Sequence, residues 1–325
     1  MDFKKAFLRG SSWYGNTKDL TLGTFDLGFF VPSWEERCTS ITTVTDAVFG
    51  QAQMIKFDKS TESYEHSLDE FLHRRSRNVL LQISGSVSDL RPLGERILSS
   101  IRQTRTLKGQ ALSVFVDISC CPRYFLLYVL GACFRTGLCK SVSLFYGEGE
   151  YGENGGEFVF TEGDWELVTV PFFEGEVDPG RRMYYLVSVG FEGRKAFRMM
   201  SKLEPDRISV LLPYPGFNER YSQQVVDENA ALIQEFSVPE TQVIRVPAGD
   251  ALGAWEATSA LQTNPDENLS VICLGPKPHS LGIGLAAITN PRVQVLYCKP
   301  SMFHKRTVRP TGFAWFYQIT DLSAI

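Results

Sequence analysis

Two short segments of the sequence place an aromatic side chain beside a glutamate and an arginine. Residues 33–37 read SWEER and residues 190–194 read GFEGR, so both follow the order small, aromatic, Glu, any residue, Arg. An arginine oriented by a nearby carboxylate can bind an anion, and an aromatic ring can stack on a planar group. The candidate contact residues in these segments are Trp34, Glu35, Arg37, Phe191, Glu192 and Arg194.

A second pair of segments combines cationic side chains with prolines that suit the first turn of a helix. Residues 117–123 read DISCCPR and residues 273–279 read CLGPKPH. A proline in the first turn leaves neighbouring backbone N–H groups and the positive end of the helix dipole to face an anion. With Pro122 and Pro278 in the first turns, the predicted anion contacts are Ser119, Arg123, Gly275, Lys277 and His279.

These segments and a third landmark recur at nearly constant spacing. The offset is 157 residues between the two arginines of the first pair and 156 residues between the two prolines of the second. A strand pattern ends LFY at Tyr146 and another ends VLY at Tyr297, 151 residues later, and both tyrosines are further stacking candidates. The spacing predicts an internal duplication of the chain.

Structural explanations of the same residues stay open. A Glu and an Arg near a helix start can be exposed charges of the first turn, the tyrosines can be core aromatics, and the prolines can serve only to start helices. Lys277 and His279 are harder to explain in this way, because the loop around them is otherwise small and apolar.

Short apolar runs alternate with longer helical patterns, and this alternation predicts the elements that position the segments. Strands begin near residues 24, 51, 78, 111 and 141 in the first half and near 183, 207, 241, 269 and 293 in the second. A helical pattern follows each of the first four strands of each half, beginning with residues 35–49, which is typical of βαβ units. We predict an α/β fold of two tandem Rossmann-like five-stranded parallel-sheet units related by internal duplication, each followed by extra antiparallel β elements.

Three further stretches set the predicted domain boundaries. The pattern of residues 157–173 predicts a β-hairpin with its turn near EGD. Residues 177–182 are predicted to form a linker, and residues 311–321 one more strand. The predicted units therefore cover residues 1–178, with the hairpin as an insertion, and residues 179–325, with the C-terminal strand.

Composition excludes several classes of protein. The 325 residues are 43% hydrophobic and 22% charged with a net charge of −4, which is typical of a two-domain globular protein and argues against general nucleic-acid binding. No apolar run reaches the roughly 18 residues of a membrane span, and no signal peptide is evident, so no membrane contact is expected. The seven cysteines form no CxxC pair, which favours buried thiols in a cytoplasmic protein over disulfides or zinc. Without a Walker A or GxGxxG motif after a first strand, we predict no bound cofactor and no metal.

The sheet itself predicts where a ligand binds. In an open parallel sheet the site lies beyond the carboxyl ends of the strands, where the strand order reverses. For either order 2-1-3-4-5 or 3-2-1-4-5, strand one flanks the reversal, so the loops after strands one and four converge. Both pairs of segments lie in those loops.

At these residues the chain resembles the CRISPR-associated Rossmann-fold (CARF) sensor domains and related fused-pair sensors of bacterial anti-phage signalling. GPKP at residues 275–278 looks like the Gly-Thr-Lys-like element of that family, with Pro276 in place of Thr. SCCPR at residues 119–123 looks like its divergent counterpart, with Arg123 in place of Lys. The resemblance implies that the loops after strands one and four bind a cyclic oligonucleotide, and that paired domains form one composite pocket.

These observations predict a ligand-sensing or regulatory subunit of a bacterial anti-phage defence system. Its expected partners are a cyclic oligonucleotide or other nucleotide and a separate effector protein, and association into a homodimer stays open. One alternative is an enzyme acting on a nucleotide or phosphodiester through Arg123, Lys277 or His279, although catalysis is not favoured. The other is a structural adaptor for an effector protein, with a vestigial crevice.

Overall fold

The chain forms two compact units, which we call unit 1 (Met1–Gly155 with Lys305–Ile325) and unit 2 (Gly156–His304). A computed structural model describes residues 12–44, 46–57, 64–78, 81–86, 89–152, 160–261 and 264–320. Each unit has its own sheet and its own apolar core.

Unit 1 is built on a seven-stranded sheet in the order β1-β13-β6-β5-β2-β3-β4. The strands from β2 to β6 pair in parallel, whereas β13 runs antiparallel to β6 and β1 runs antiparallel to β13. Its strands are β1 (Ser12–Asn16), β2 (Thr24–Phe30), β3 (Val48–Phe57), β4 (Leu81–Gly85), β5 (Leu112–Asp117), β6 (Cys139–Tyr151) and β13 (Val308–Thr320). Its α-helices are α1 (Glu65–Arg75), α2 (Leu90–Lys108) and α3 (Arg123–Arg135).

Unit 2 is built on a six-stranded sheet in the order β10-β9-β8-β11-β12-β7. The strands from β8 to β12 pair in parallel, and β7 runs antiparallel to β12. Its strands are β7 (Thr161–Thr169), β8 (Arg182–Ser188), β9 (Arg207–Pro213), β10 (Val243–Val246), β11 (Glu267–Cys273) and β12 (Val293–Phe303). Its α-helices are α4 (Gly193–Leu203), α5 (Glu219–Glu235), α6 (Ala251–Ser259) and α7 (Lys277–Thr289).

The predicted α/β fold with two Rossmann-like parallel-sheet units is confirmed. Central strands are apolar on both faces, as in β5, where the residues from Val114 to Asp117 are all buried. When the five parallel strands of each unit are numbered in chain order, their order across the sheet is 3-2-1-4-5. The shared order agrees with a duplication, but any two doubly wound units can share it, so common origin stays a prediction.

The extra antiparallel strands belong to different units from those predicted. The segment that was expected to be a hairpin is, over its described part, the single strand β7, and it pairs with β12 of unit 2. The C-terminal strand β13 returns to unit 1 and pairs with β6. The predicted boundary after residue 178 is therefore wrong, because sequence order says nothing about which open sheet edge a strand will cover.

The helix predicted for residues 35–49 is also wrong. The chain forms a 3-10 helix over Glu36–Thr43, and β3 begins at Val48. Hydroxyl groups in the CTSITT run bond back to carbonyl oxygens three residues earlier, as in the 2.7 Å bond from Thr42 Oγ1 to Thr39 O. Such local bonds compete with α-helical geometry and favour the tighter turn.

Phe316 lies in β13, which follows the strands of unit 2 in the sequence but belongs to the sheet of unit 1. Phe316→Ala is therefore expected to destabilise unit 1. Its ring is 6% exposed and packs in the unit 1 core, so its removal should cost about 3–5 kcal/mol. Hydrogen exchange should become faster in β5 and β6 and stay unchanged in β11. Phe313→Ala is the matched control, since that ring is 41% exposed. Faster exchange in β11 instead would contradict the pairing.

Candidate functional site

The loops after the first and fourth parallel strands converge in each unit. In unit 1, the thiol of Cys120 after β5 lies 3.6 Å from Glu35 Oε2 after β2. In unit 2, the N–H of Leu274 after β11 donates to Ser188 O at the end of β8, over 2.9 Å. The two loops therefore meet in each unit at the place where a doubly wound sheet is expected to bind a ligand, and we call this place the crevice of the unit.

The unit 1 crevice contains a buried arginine. The Arg37 guanidinium donates from Nε to Glu35 Oε2 at 2.5 Å and from an Nη atom to the Tyr146 hydroxyl at 3.4 Å. It also lies 5.8 Å from the centre of the Tyr146 ring and 5.9 Å from that of Tyr151. Burial by itself would lower the pKa of Arg37, but the Glu35 carboxylate outweighs it and the pKa is raised well above its usual value. Arg37 is therefore a permanent internal cation.

Two glycines of β6 make room for this arrangement. A Cβ atom on Gly149 would lie 2.7 Å from Arg37 Cδ and 2.5 Å from Val308 Cγ1. A Cβ atom on Gly147 would lie 2.6 Å from Ser40 Oγ. The 3-10 helix and the Arg37 side chain can pack on β6 only because these positions have no side chain.

Ser119 fixes the loop after β5 instead of pointing at solvent. Its hydroxyl accepts from the Gly147 N–H at 2.8 Å, and its own N–H donates to Asp117 Oδ1 at 2.8 Å. Ser119 is fully buried, so the structure gives it a role in holding β5 and β6 together.

A second polar pair in unit 1 was missed by the sequence reasoning. Tyr14 of β1 donates its hydroxyl to Glu148 Oε2 at 2.9 Å. Burial raises the pKa of both groups, to about 12 for Tyr14, and the bond from Tyr14 opposes the rise for Glu148. The two residues lie in β1 and in the GEGEY run of residues 147–151, where alternating Gly and Glu after an apolar run is the signal of a continuing strand.

Trp34 and Arg123 lie at the less buried side of the unit 1 crevice. Trp34 is half-buried, and Lys305 Nζ lies 5.9 Å from the centre of its ring. Arg123 is the first residue of α3, directly after Pro122, and is also half-buried. Both positions allow the contacts that the sequence suggested.

In unit 2 the repeated Glu–Arg arrangement does not recur. Glu192 Oε1 accepts from the Thr161 N–H of β7 at 3.0 Å and lies 3.5 Å from Lys195 Nζ. Arg194 is exposed, whereas Arg37 is 5% exposed. The predicted equivalence of the two arginines is therefore wrong, because α4 begins at Gly193 and the helix turns Lys195, not Arg194, back toward the glutamate.

The start of α7 forms a tight contact with the end of β8. A Cβ atom on Gly275 would lie 2.3 Å from Ser188 Oγ and 2.8 Å from Val189 O, so only glycine fits there. Pro276 precedes the helix and Lys277, which is half-buried, is its first residue. The hydroxyls of Ser188 and Ser280 are fully buried, and within the described part of the chain neither has a hydrogen-bond partner.

His279 is not a cation at the mouth of the crevice. It is fully buried, and Nε2 lies 3.0 Å from Pro247 O. Because a carbonyl only accepts, Nε2 carries the proton of the neutral ring. Burial lowers the pKa of His279 to about 4. The prediction that His279 contributes positive charge is therefore wrong: the residue is a core histidine.

The aromatic candidates are used mainly for packing. Tyr146 and Tyr297 are each 5% exposed, so their rings belong to the cores. Phe191 is half-buried, stacks on Phe160 with ring centres 6.1 Å apart and meets Tyr221 edge-on at 5.5 Å. Among the predicted stacking residues, Trp34 and Phe191 keep partly accessible rings.

The most similar feature of the two crevices is the start of the helix after strand four. Pro122 and Pro276 both occupy the N-cap position, so the predicted pairing of Pro122 with Pro278 is wrong: Pro278 lies in the first turn of its helix, whereas Pro122 precedes its helix. Arg123 and Lys277 are therefore equivalent and lie 154 residues apart. The first intrahelical bonds run from the N–H of Leu126 and Ser280 to the carbonyls of the two N-cap prolines, each at 3.2 Å. Each helix therefore begins with a cationic side chain at the positive end of its dipole, which suits an anion.

Comparison with known proteins adds little to this description. No protein-family model matches the chain, and no curated protein is significantly similar to it. One solved structure that aligns with it is the cytoplasmic domain of a prokaryotic cation chloride cotransporter, with 8% identity over 85% of this chain and 96% of that one. Its TM-score of 0.23 is too low for any argument.

No described helix combines the length and apolar character that crossing a membrane requires. No group of three or more His, Cys, Asp or Glu side chains in the described part of the chain is placed to hold a metal ion.

Arg37→Ala should destabilise the protein much more than Arg194→Ala. Removing Arg37 leaves Glu35 without its partner in a largely buried site, and loss of one member of a buried pair costs about 3–5 kcal/mol. The exposed Arg194 should cost less than about 1 kcal/mol. Urea unfolding of both variants measures the difference. Equal costs would mean that the two arginines have equivalent roles after all.

The burial of His279 should make unit 2 less stable in acid. Its pKa is about 4 in the folded protein, against roughly 6.5 in the unfolded chain. Between these values only the unfolded chain binds the proton, so this contribution to stability is fully present above about pH 6.5 and is lost as the pH falls toward 4.

The loss between pH 7 and pH 4.5 should be roughly 2–3 kcal/mol, and His279→Gln should remove that part of it. Unfolding by urea at both pH values, for the wild type and the variant, measures the difference. An identical drop in the two proteins would show that His279 does not titrate in this way.

Proposed function

We propose that this protein is a ligand-sensing or regulatory subunit that binds an anionic, nucleotide-type ligand in the crevice of unit 2. The observation that carries the proposal is the start of α7. Gly275 lies against the end of β8, and Lys277 stands at the positive end of the helix directly after a proline N-cap. A backbone that approaches closely, a helix N-terminus and a lysine together suit a phosphate group.

Two buried hydroxyls agree with a ligand in unit 2 but do not distinguish it from unit 1, where Ser40 Oγ and Trp34 Nε1 also have no hydrogen-bond partner among the described residues. Ser188 ends β8 and Ser280 lies in the first turns of α7, and neither hydroxyl has a hydrogen-bond partner among the described residues. Buried polar groups are nearly always satisfied, so unsatisfied ones point to a bound molecule or water. The exposed Arg194 and the partly accessible ring of Phe191 lie after the neighbouring strand β8 and could contact the rest of the ligand.

The unit 1 crevice supports a structural role in this proposal. The positive charge of the buried Arg37 is already neutralised by Glu35, and buried Tyr146 contacts its guanidinium. An anion entering there would have to compete with the Glu35 carboxylate. Arg123 is the remaining candidate contact, at the half-buried start of α3.

We further propose that this sensor acts in anti-phage defence, with a cyclic oligonucleotide as ligand and a separate effector as partner. This part of the proposal rests on the resemblance of the GPKP and SCCPR segments to CARF domains. The enzymatic alternative keeps Arg123 and Lys277 as candidates but loses His279, which is neutral and buried and supplies no positive charge. A structural adaptor is the second candidate function, and the filled crevice of unit 1 is the observation that favours it.

A thermal-shift screen tests the proposal directly. Cyclic and linear oligonucleotides, mononucleotides and NAD are added to the full-length protein. A ligand at 100 times its Kd should stabilise the protein by about 2.7 kcal/mol, a shift of a few degrees for a chain of this size. We expect Lys277→Ala to abolish the shift and Arg123→Ala to change it little.

Arg245→Ala is the matched control, because Arg245 pairs with Glu240 on the surface of unit 2. Its shift should equal that of the wild type. A shift that survives in Lys277→Ala but is lost in Arg123→Ala would move the site to unit 1. A silent screen would contradict ligand sensing and favour the adaptor.

A further inference from the structure

Strand β4 forms an open edge of the unit 1 sheet. It pairs with β3 on one side, and no described strand pairs with its other side. The Val48 N–H donates to Gly23 O on the β2 side of β3, and Phe49 O accepts from the Arg77 N–H on the other side, so the odd-numbered residues of β3 face β4. Given the parallel register of β3 and β4, Gln82 and Ser84 then bond to β3, whereas Ile83 directs its N–H and C=O to the open edge. An edge of this kind can pair with a strand from another chain.

A groove of about 340 Å³ runs along this edge. It is lined by Gln82, Ile83 and Ser84 of β4 and by Arg96, Ser99, Ser100 and Gln103 of α2. The four helix positions are spaced as one stripe of a helix surface, so α2 lies alongside the edge and presents hydroxyl, amide and guanidinium groups to it. These are groups that can bind the side chains of an incoming strand.

Polar contacts hold α2 beside the sheet, and α2 covers β4 only at its end, where Leu93 packs on the buried Gly85. Gln53 of β3 donates to Ser100 Oγ, and Thr104 Oγ1 donates to Gln51 Oε1 at 3.0 Å. Leu81 of β4 remains 43% exposed. The groove is therefore present before any partner arrives, so binding there would require little rearrangement of the fold.

The charge of α2 indicates an acidic partner. The helix has five Lys or Arg residues and one Glu, in a chain whose net charge is −4. Two of these cations are paired, Arg91 with Glu95 at 3.5 Å and Lys108 with Asp26 at 3.2 Å. Complementary charge raises the rate and specificity of association.

The composition of the groove favours a peptide over a nucleic acid. Neither β4 nor α2 contains an aromatic residue on which a base could stack. The outward N–H and C=O groups of β4 match the main chain of an extended peptide.

We propose that the β4 edge binds an extended acidic peptide segment of a partner protein, which adds to the sheet beside β4. On binding, the outward N–H and C=O of Ile83 pair with the main chain of the peptide. Arg96, which donates to Ser84 O in the free protein, turns to a carboxylate of the incoming strand. Arg96 thus selects for acidic side chains in the complex. The site is separate from the unit 2 crevice and does not depend on its function.

Fluorescence anisotropy with a labelled, end-capped octapeptide of alternating Glu and Thr tests the charge. We expect saturable binding to the full-length protein, and none with the matching peptide of Lys and Thr. Arg96→Ala should weaken binding about tenfold or more. Arg91→Ala should stay within about twofold, since its side chain is 88% exposed and lies outside the groove.

Ile83→Pro tests strand addition. It removes the outward N–H at an edge position, where proline is tolerated, and should abolish binding. Ile83→Val keeps the N–H and should bind within about twofold of the wild type. In the wild type, the peptide should slow hydrogen exchange in β4, a measurement that stands even if the proline variant fails to fold.

Three results would overturn the proposal. One is the absence of binding by the acidic peptide at millimolar concentration. Another is binding without slower exchange in β4, which would reduce the contact to charge alone. The third is binding of a short DNA duplex that is lost in Arg96→Ala, together with no binding of the acidic peptide.

Discussion

The open edge of a parallel sheet is the physical constraint on which the rest of this structure depends. In each unit the fifth parallel strand, β6 or β12, needs a partner for its outer backbone groups, and each receives an antiparallel strand. The chain supplies β7 to unit 2 on its way out of unit 1, and supplies β13 to unit 1 at its end. Unit 1 is therefore discontinuous in sequence.

This pairing also shapes the two crevices. In unit 1, β13 contributes Val308, whose methyl group occupies the space above Gly149 next to the Arg37 side chain. In unit 2, β7 contributes Thr161, which donates to Glu192. The same strand order therefore surrounds the two glutamates with different neighbours. One glutamate neutralises a buried arginine, and the other holds a lysine and a strand end.

The opposite edges of the two sheets differ as well. β10 is a four-residue edge strand with the charged Arg245, and short charged edges resist pairing with other chains. β4 lies beside a polar stripe of α2, and its backbone is covered in part by one arginine. The two units thus share a topology and differ in the surfaces that can interact with other molecules.

The sequence by itself determined the fold class and most of the elements of this protein. Apolar runs such as LSVFVD and periodic helices such as α5 act locally, and their periods are visible in the chain. It also determined that the loops after strands one and four converge, since this follows from any doubly wound order. Only the tertiary structure decided which sheet receives β7 and β13, because pairing of distant strands depends on which edge is open.

Tertiary structure also decided the state of the charged candidates. Arg37 and Arg194 occupy matching positions in two similar pentapeptides, yet one is buried and the other exposed. His279 looks like a surface cation in PKPH and is a neutral core residue. Ionisation and exposure depend on what surrounds a side chain in three dimensions, and that information is not present in a local motif.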